Sequence, residues 1–246
     1  MARYLGTNAT FVQRVWTAHG LPLHRVRAFK LSQDPHFQDK LEEVVGLYLH
    51  PPEHAVALSV DENSQIQALE RTQPGVPMKK GRCGTMTHDS KRPGTPTLFA
   101  ALHVAEGSIL STCLPWHRHQ EWLTFLRLID RQVPQGTALH LIADNYATHK
   151  HPTVQRWLTR HPRVHMHVTP TSSAWLNLVE RVFGDLTAKQ IRRGVFRSVP
   201  ELIAAIDAYM TQRNAQPKPF VWTKTAQEIL GIVHRARIAR DKTRTA

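Results

Sequence analysis

Apolar residues recur at helical spacing in two early stretches. Phe11, Val12, Val15 and Trp16 form one stripe over residues 8–19, with Asn8 as N-cap and Gly20 as the C′ residue. Phe37, Leu41, Val44, Val45 and Tyr48 form another over 37–49, which Pro51 and Pro52 stop. The period then shortens. AVALSV (55–60) reads as a short strand ending at Asp61-Glu62, and TLFAALHV (97–104) with SILSTCL (108–114) as a hairpin around Glu106-Gly107. ALHLIA (138–143) and VHMHV (164–168) are two further strands. Between them lie a helix over 119–131, with Trp122, Leu123, Leu126 and Ile129 inward, and a short helix over 152–160. Pro170 and Thr171-Ser172-Ser173 announce a helix over about 173–190. The last clear helix starts at Ser198, where Ser198 and Glu201 make a capping box and Pro200 sits in the first turn. Leu202, Ile203, Ile206, Tyr209 and Met210 are its core stripe, and the basic tail after about 233 reads as frayed. This order predicts an α/β layered domain with a mixed sheet.

Composition adds a partner class. Lys and Arg number 32 against 19 Asp and Glu, a formal charge of +13, which points to a polyanion or else to a merely basic protein. With 41% hydrophobic residues in 246, one good-sized domain with a packed core is expected. Cys83 and Cys113 are the two cysteines, so neither a disulfide framework nor a cysteine zinc site is expected, in keeping with a reducing compartment. The chain shows no signal-peptide run and no apolar stretch of membrane-spanning length.

The candidate chemistry lies in three acids. Asp61 and Asp144 each follow a buried strand, and Glu180 lies on the helix expected over 173–190. Carboxylates from two strand ends and one helix can hold two hard cations, as in-line phosphoryl transfer requires. Taken singly, an acid at a strand end is as readily a turn former.

The segments around the acids are more specific. Ser59-Val60-Asp61-Glu62, Asp144-Asn145-Tyr146-Ala147-Thr148-His149-Lys150 and Pro170-Thr171-Ser172-Ser173-Ala174-Trp175-Leu176-Asn177-Leu178-Val179-Glu180 occur in that order. Together they resemble the DDE transposases of the mariner-like insertion sequences (the insertion sequence 630 family), over about residues 10–232. The resemblance implies a ribonuclease-H-like mixed sheet flanked by helices, with Asp61, Asp144 and Glu180 as the catalytic metal-binding acids. It implies two Mg²⁺ or Mn²⁺ ions, cleavage at transposon ends, and joining of 3′-hydroxyls to target DNA. Partners would be DNA and further copies of the chain, as a homodimer or larger, in a cytoplasmic, nucleoid-associated setting. Asn177, one helical turn before Glu180, either orients Glu180 or a metal-bound water, or is a surface residue. His149 and Lys150 either contact a phosphate or lie in a solvated loop.

DNA contacts are expected from Arg14 on the first helix and from Arg25 and Arg27 in the basic segment after it. The Gly-, Pro- and Lys-rich stretch 65–97 adds Lys79, Lys80, Arg82, Lys91 and Arg92, and reads as a clamp on DNA or a partner subunit, or as a solvated loop. Relatives carry several helices in their DNA-binding region, whereas one precedes Gly20 here. Residues 1–35 therefore read as the remnant of a helix-turn-helix and a linker, 36–232 as the catalytic domain and 233–246 as a basic tail. That start leaves open a non-catalytic DNA-binding remnant or a regulator of a full-length transposase. His117 with His119, and His165 with His167, are spaced to share a strand face. Asp130, Asp185 and Asp207 read as exposed helix residues, and the six Trp mostly as core, with Trp175 flanking the site as the exception.

Overall fold

In the computed structural model, residue 6 and residues 8–18, 31–71, 90–192 and 194–244 are described. The chain divides into two units, Met1–Leu31 and Ser32–Ala246. The first holds α1 (Ala9–Ala18), where the Phe11 amide donates to Asn8 Oδ1 at 2.7 Å, the N-cap expected from the sequence. Gly20, and with it the expected C′ position, lies outside the described residues.

The strands of the second unit are, in chain order, β1 (Ala55–Asn63), β2 (Ala68–Arg71), β3 (Ser90–Gly94), β4 (Thr97–His103), β5 (Ile109–Leu114), β6 (Ala138–Ala143) and β7 (Val164–Val168). Five of them form a mixed sheet in the order β5-β4-β1-β6-β7. β4 is antiparallel to β1 and β5, whereas β6 is parallel to β1 and β7. Its helices are α2 (Phe37–Leu49), α3 (His119–Gln132), α4 (Pro152–Arg160), α5 (Val179–Leu186), α6 (Val199–Ala215) and α7 (Ala226–Arg244).

Side chains alternate across the strands, so the sheet builds two cores. Leu58, Val60, Phe99, Ala101, Leu139, Leu141 and Val164 pack with Trp122, Phe125 and Leu126 of α3 and Val154 of α4. Ala57, Leu98, Ala100, Leu102 and Ile142 face the other way, onto Leu41 and Val44 of α2, Val182 and Phe183 of α5, Leu202 and Ile206 of α6 and Ile229 of α7. The expected inward faces of α2, α3 and α6 are found, with Ile203 and Tyr209 of α6 only half-buried and Phe125 added to α3.

Several expectations are corrected. β1 does not end before Asp61: its ladder to β4 continues through Asp61↔Ala100, Glu62↔Phe99 and Asn63↔Leu98. The stretch 65–97 is not all loop, because β2 and β3 pair antiparallel; residues 72–89 between them lie outside the described residues. The helix expected over 173–190 is broken into a 3₁₀ turn at Ala174–Leu176, α5, and a π turn at Thr187–Ile191. α7 runs to Arg244, so residues 233–244 are helical rather than frayed. His117 precedes α3 and His119 opens it, so that pair shares no strand, whereas His165 and His167 do lie on β7. Asp130 is mostly buried against Arg163, at 2.7 Å, rather than solvated. Trp116 is exposed rather than core.

Candidate active site

β1 and β6 run side by side in the same direction, and this brings Asp61 and Asp144 to one end of the sheet. Asp61 points to the α5 side and is buried, at 6% exposure. Its Oδ1 accepts from the Glu62 amide at 2.8 Å, and its Oδ2 from Asn177 Nδ2 at 3.0 Å. Asp144 follows β6 directly and is half-buried, with Oδ1 accepting from the Tyr146 amide at 3.1 Å. Glu180 sits in the first turn of α5, at the rim. Burial, then the nearby Asp144, Glu62 and Glu180, push the Asp61 carboxyl up to about 8. Partial burial and Asp144 likewise raise Glu180, against a hydrogen bond with Asp61 that lowers it. Three acids therefore face one another, and among the described residues no Lys or Arg forms an ion pair with any of them.

Asn177 does not work as its spacing suggests. It ends the 3₁₀ turn instead of sharing a helix face with Glu180, and it is buried at 1% exposure rather than on the surface. Its Nδ2 donates to the Val60 carbonyl and to Asp61, both at 3.0 Å, and its Oδ1 accepts from Ser59 Oγ. Ser59 Oγ in turn accepts from the Val179 amide at 2.9 Å, at the start of α5. Tyr48 of α2 closes the arrangement, its hydroxyl donating to the Leu176 carbonyl at 2.8 Å. The path from Asp61 to Glu180 is thus a chain of buried hydrogen bonds. The sequence signals for Ser59 and Tyr48 are a hydroxyl inside an apolar strand and a phenol on an apolar helix stripe.

This predicts the effect of Asn177→Ala: Ser59 and Asp61 lose a buried partner at a cost of about 1–3 kcal/mol each. Asn177→Asp is expected to cost more, because it sets another carboxylate against Asp61. Urea denaturation of the variants checks both; equal stability of the two would count against the arrangement.

His149 is buried and not in a solvated loop. Its Nδ1 lies 3.2 Å from the Asp144 carbonyl and 3.3 Å from Asp144 Oδ1, and its Nε2 lies 3.2 Å from Glu62 Oε2. Its ring stacks on Trp122 at 3.9 Å. Glu62, which neighbours Asp61 along β1, thus reaches Asp144 through His149. Lys150 is exposed. A cavity of about 350 Å³ beside the acids has Glu62, Glu180, Gly184 and Arg192 among its walls. Among the described residues no three His, Cys, Asp or Glu side chains close around a single point as a ready-made metal cage.

Of the expected DNA contacts, Arg14 is exposed on α1. Arg25, Arg27, Lys79, Lys80 and Arg82 lie outside the described residues, and Lys91 and Arg92 fall in β3.

A family model described as DDE superfamily endonuclease matches residues 56–203. The insertion element IS630 uncharacterized 39 kDa protein of Shigella sonnei is 24% identical over 212 residues, covering 82% of this chain and 58% of that protein. The chain therefore spans well under two thirds of that relative. Among solved structures, the Mos1 mariner paired end complex with Mn aligns with a TM-score of 0.61 at 13% identity, over 85% of this chain and 65% of that one. The Mos1 strand transfer complex aligns with a TM-score of 0.59 at 13% identity, over 85% and 64%. A Mos1 paired end complex with Mg also aligns, with a TM-score of 0.54 at 13% identity, over 90% and 67%. At such identities the likeness is one of fold, the ribonuclease-H-like mixed sheet flanked by helices.

Proposed function

The chain belongs to the DDE superfamily endonucleases, and from that premise we propose that it is the catalytic part of a transposase, cutting DNA and transferring strands with Asp61, Asp144 and Glu180. The observation that carries this reading is the meeting of three acids, from β1, the end of β6 and α5, at one edge of the sheet, with no Lys or Arg among the described residues in an ion pair with them. An acid site of that kind fits divalent cations. Mg²⁺ takes oxygen ligands and keeps several waters, so it needs only one or two carboxylates per ion and no closed protein cage. The Mn and Mg complexes of Mos1 support the same choice of metal. Asp61 and Asp144 would hold one ion between them and Glu180 would complete the second site. Bound there, the ions supply charge neutralisation and activation of the attacking oxygen for in-line phosphoryl transfer.

The protein's own residues do the rest. Asn177 holds Asp61 in one orientation, His149 holds Asp144, and the Ser59–Val179 bond sets where Glu180 begins. DNA would approach the exposed rim, drawn by the chain's charge of +13. Two transposon ends must be joined, so the working assembly would be a dimer or larger, with Arg14, Arg25, Arg27, Lys79, Lys80, Arg82, Lys91 and Arg92 as contacts to DNA. The test is incubation with Mn²⁺ and labelled DNA carrying the element's terminal repeats. Metal-dependent breaks that leave 3′-hydroxyls are expected at the repeat boundary. Binding without cleavage in either metal would leave a DNA-binding regulator instead.

The raised Asp61 carboxyl gives a second check. Below about pH 8 the metal-free protein keeps a proton on Asp61, and a bound cation must displace it. Mn²⁺ affinity is therefore expected to climb with pH up to about 8, with proton release measurable by calorimetry in buffers of different ionisation enthalpy. The metal-free fold behaves oppositely. A carboxyl whose folded pKa exceeds its unfolded value binds protons more readily when folded, so stability rises as pH falls through about 8 toward the ordinary value of 3.8. Metal affinity that is flat between these values would show that Asp61 is not a ligand with a raised carboxyl.

A further inference from the structure

The proposed DNA-cutting function is the premise here, and the question is how the strand is held at the acids. Among the described residues of Ser32–Ala246, three Phe, Tyr or Trp side chains are exposed: Trp116 at 57%, Tyr146 at 40% and Trp175 at 51%. Single exposed aromatics are ordinary on a protein surface. These are not scattered. β5, β6 and β7 all run in the direction of β1, and each exposed ring follows the C-terminal end of one of them. Trp116 comes just after β5, Tyr146 just after β6, and Trp175 in the 3₁₀ turn that follows β7. Asp61, Asp144 and Glu180 belong to that same end. At the opposite end, the connections 50–54, 104–108, 133–137 and 161–163 contain no Phe, Tyr or Trp at all.

The first ring is also held in place. The Arg118 guanidinium lies 5.3 Å from the centre of the Trp116 ring. Arg118 is itself clamped by Glu121, with Nη2 donating to Oε1 at 2.8 Å and Nε donating to Oε2 at 3.2 Å. Next along the chain, His119 stacks on His151 at 3.5 Å, which ties the Trp116 loop to the segment after Asp144. An exposed ring fixed in advance loses little freedom on binding a flat partner.

Aromatic rings around acids that act on DNA suit nucleobases, since every base has a π-face and stacking tolerates any sequence. Inside an intact duplex those faces are covered, so the rings can stack only on bases that have left the helix. We propose that Trp116, Tyr146 and Trp175 form a stacking surface for unpaired nucleobases of the DNA strand beside the reacting phosphate.

The experiment uses the full chain without divalent metal and three labelled DNAs: a blunt duplex, the same duplex with a single-stranded 3′ extension, and that extension made abasic. Trp116→Ala and Trp175→Ala are each expected to weaken binding to the base-bearing extension by about 5- to 100-fold. Blunt and abasic DNA should change by less than about twofold, and Trp116→Phe should keep most of the affinity. 2-Aminopurine in the extension should be quenched by the wild type and less so by the alanine variants. Equal losses on all three DNAs, or no loss on the extension, overturn the stacking surface while leaving the cleavage reading in place. A wild-type protein that binds none of the three overturns both.

Discussion

Asp144→Asn is expected to lower metal-dependent DNA cleavage by at least about a thousandfold, and Asp61→Asn and Glu180→Gln should do the same. Each change keeps the side chain's size and removes the charge that holds a cation. The three should nonetheless differ in stability. Asp61 is buried among acids, and ionising it costs the metal-free fold, so Asp61→Asn is expected to melt higher than the wild type above about pH 8. Asp144 is half-buried and Glu180 sits at the rim, so their variants should melt near the wild-type temperature. The informative pattern is thus activity lost in all three while stability rises in one. It is read by cleavage of a labelled DNA end alongside calorimetric melting. Cleavage that survives in Asp144→Asn, in protein free of contaminating nuclease, would remove the metal-site reading. Double variants sharpen the result, because acids serving one reaction should lose little more together than singly.

The difference between what the sequence shows and what it hides follows from the range of the interactions. α2 is legible because its apolar residues keep one face for the whole helix, and Pro51 with Pro52 marks its end. β6, α4 and β7 are legible for the same local reasons. The end of β1 is not: Asp61 and Glu62 are polar, so they look like the start of a turn, yet their backbones stay in the ladder to Ala100 and Phe99. The segment before Glu180 misleads for a related reason. Thr171, Ser172 and Ser173 resemble a helix start, but Asn177 is drawn into bonds with Ser59, Val60 and Asp61, more than a hundred residues earlier. A partner so distant overrides local propensity and delays α5 until Val179. α7 is hidden because its charged residues mask a short apolar patch, of which Ile229 is buried against the core. The acids themselves are visible because motif and strand pattern agree on them. The roles of their supports are not: Ser59 and Glu62 lie in the first motif and Tyr48 and Trp122 on apolar stripes, but what they touch becomes apparent only through contacts across the sheet.

Trp122 links the core to the site, and Trp122→Ala is the substitution expected to cost most in stability. The side chain is 1% exposed and packs against Phe99 and Phe125, with ring centres 6.4 and 6.3 Å away. Removing a buried Trp typically costs about 3–5 kcal/mol, a large share of the roughly 5–15 kcal/mol that holds a domain together. For a domain of this size that corresponds to a fall in Tm of roughly 6–20 °C. Activity should fall further than the folded fraction does, because the indole also stacks on His149, whose Nδ1 bonds Asp144. Trp122→Phe separates packing from polarity. The indole nitrogen is buried without a hydrogen-bond partner among the described residues, so losing it removes no bond to them and relieves an unsatisfied donor. Phe should therefore recover most of the stability lost in the alanine variant, with a smaller deficit from its lesser volume. It should also keep a ring against His149, so cleavage per folded molecule is expected to return with it. If the Phe variant folds well but cleaves as poorly as Ala, the indole itself, and not merely a packed ring, sets the position of His149 and through it that of Asp144.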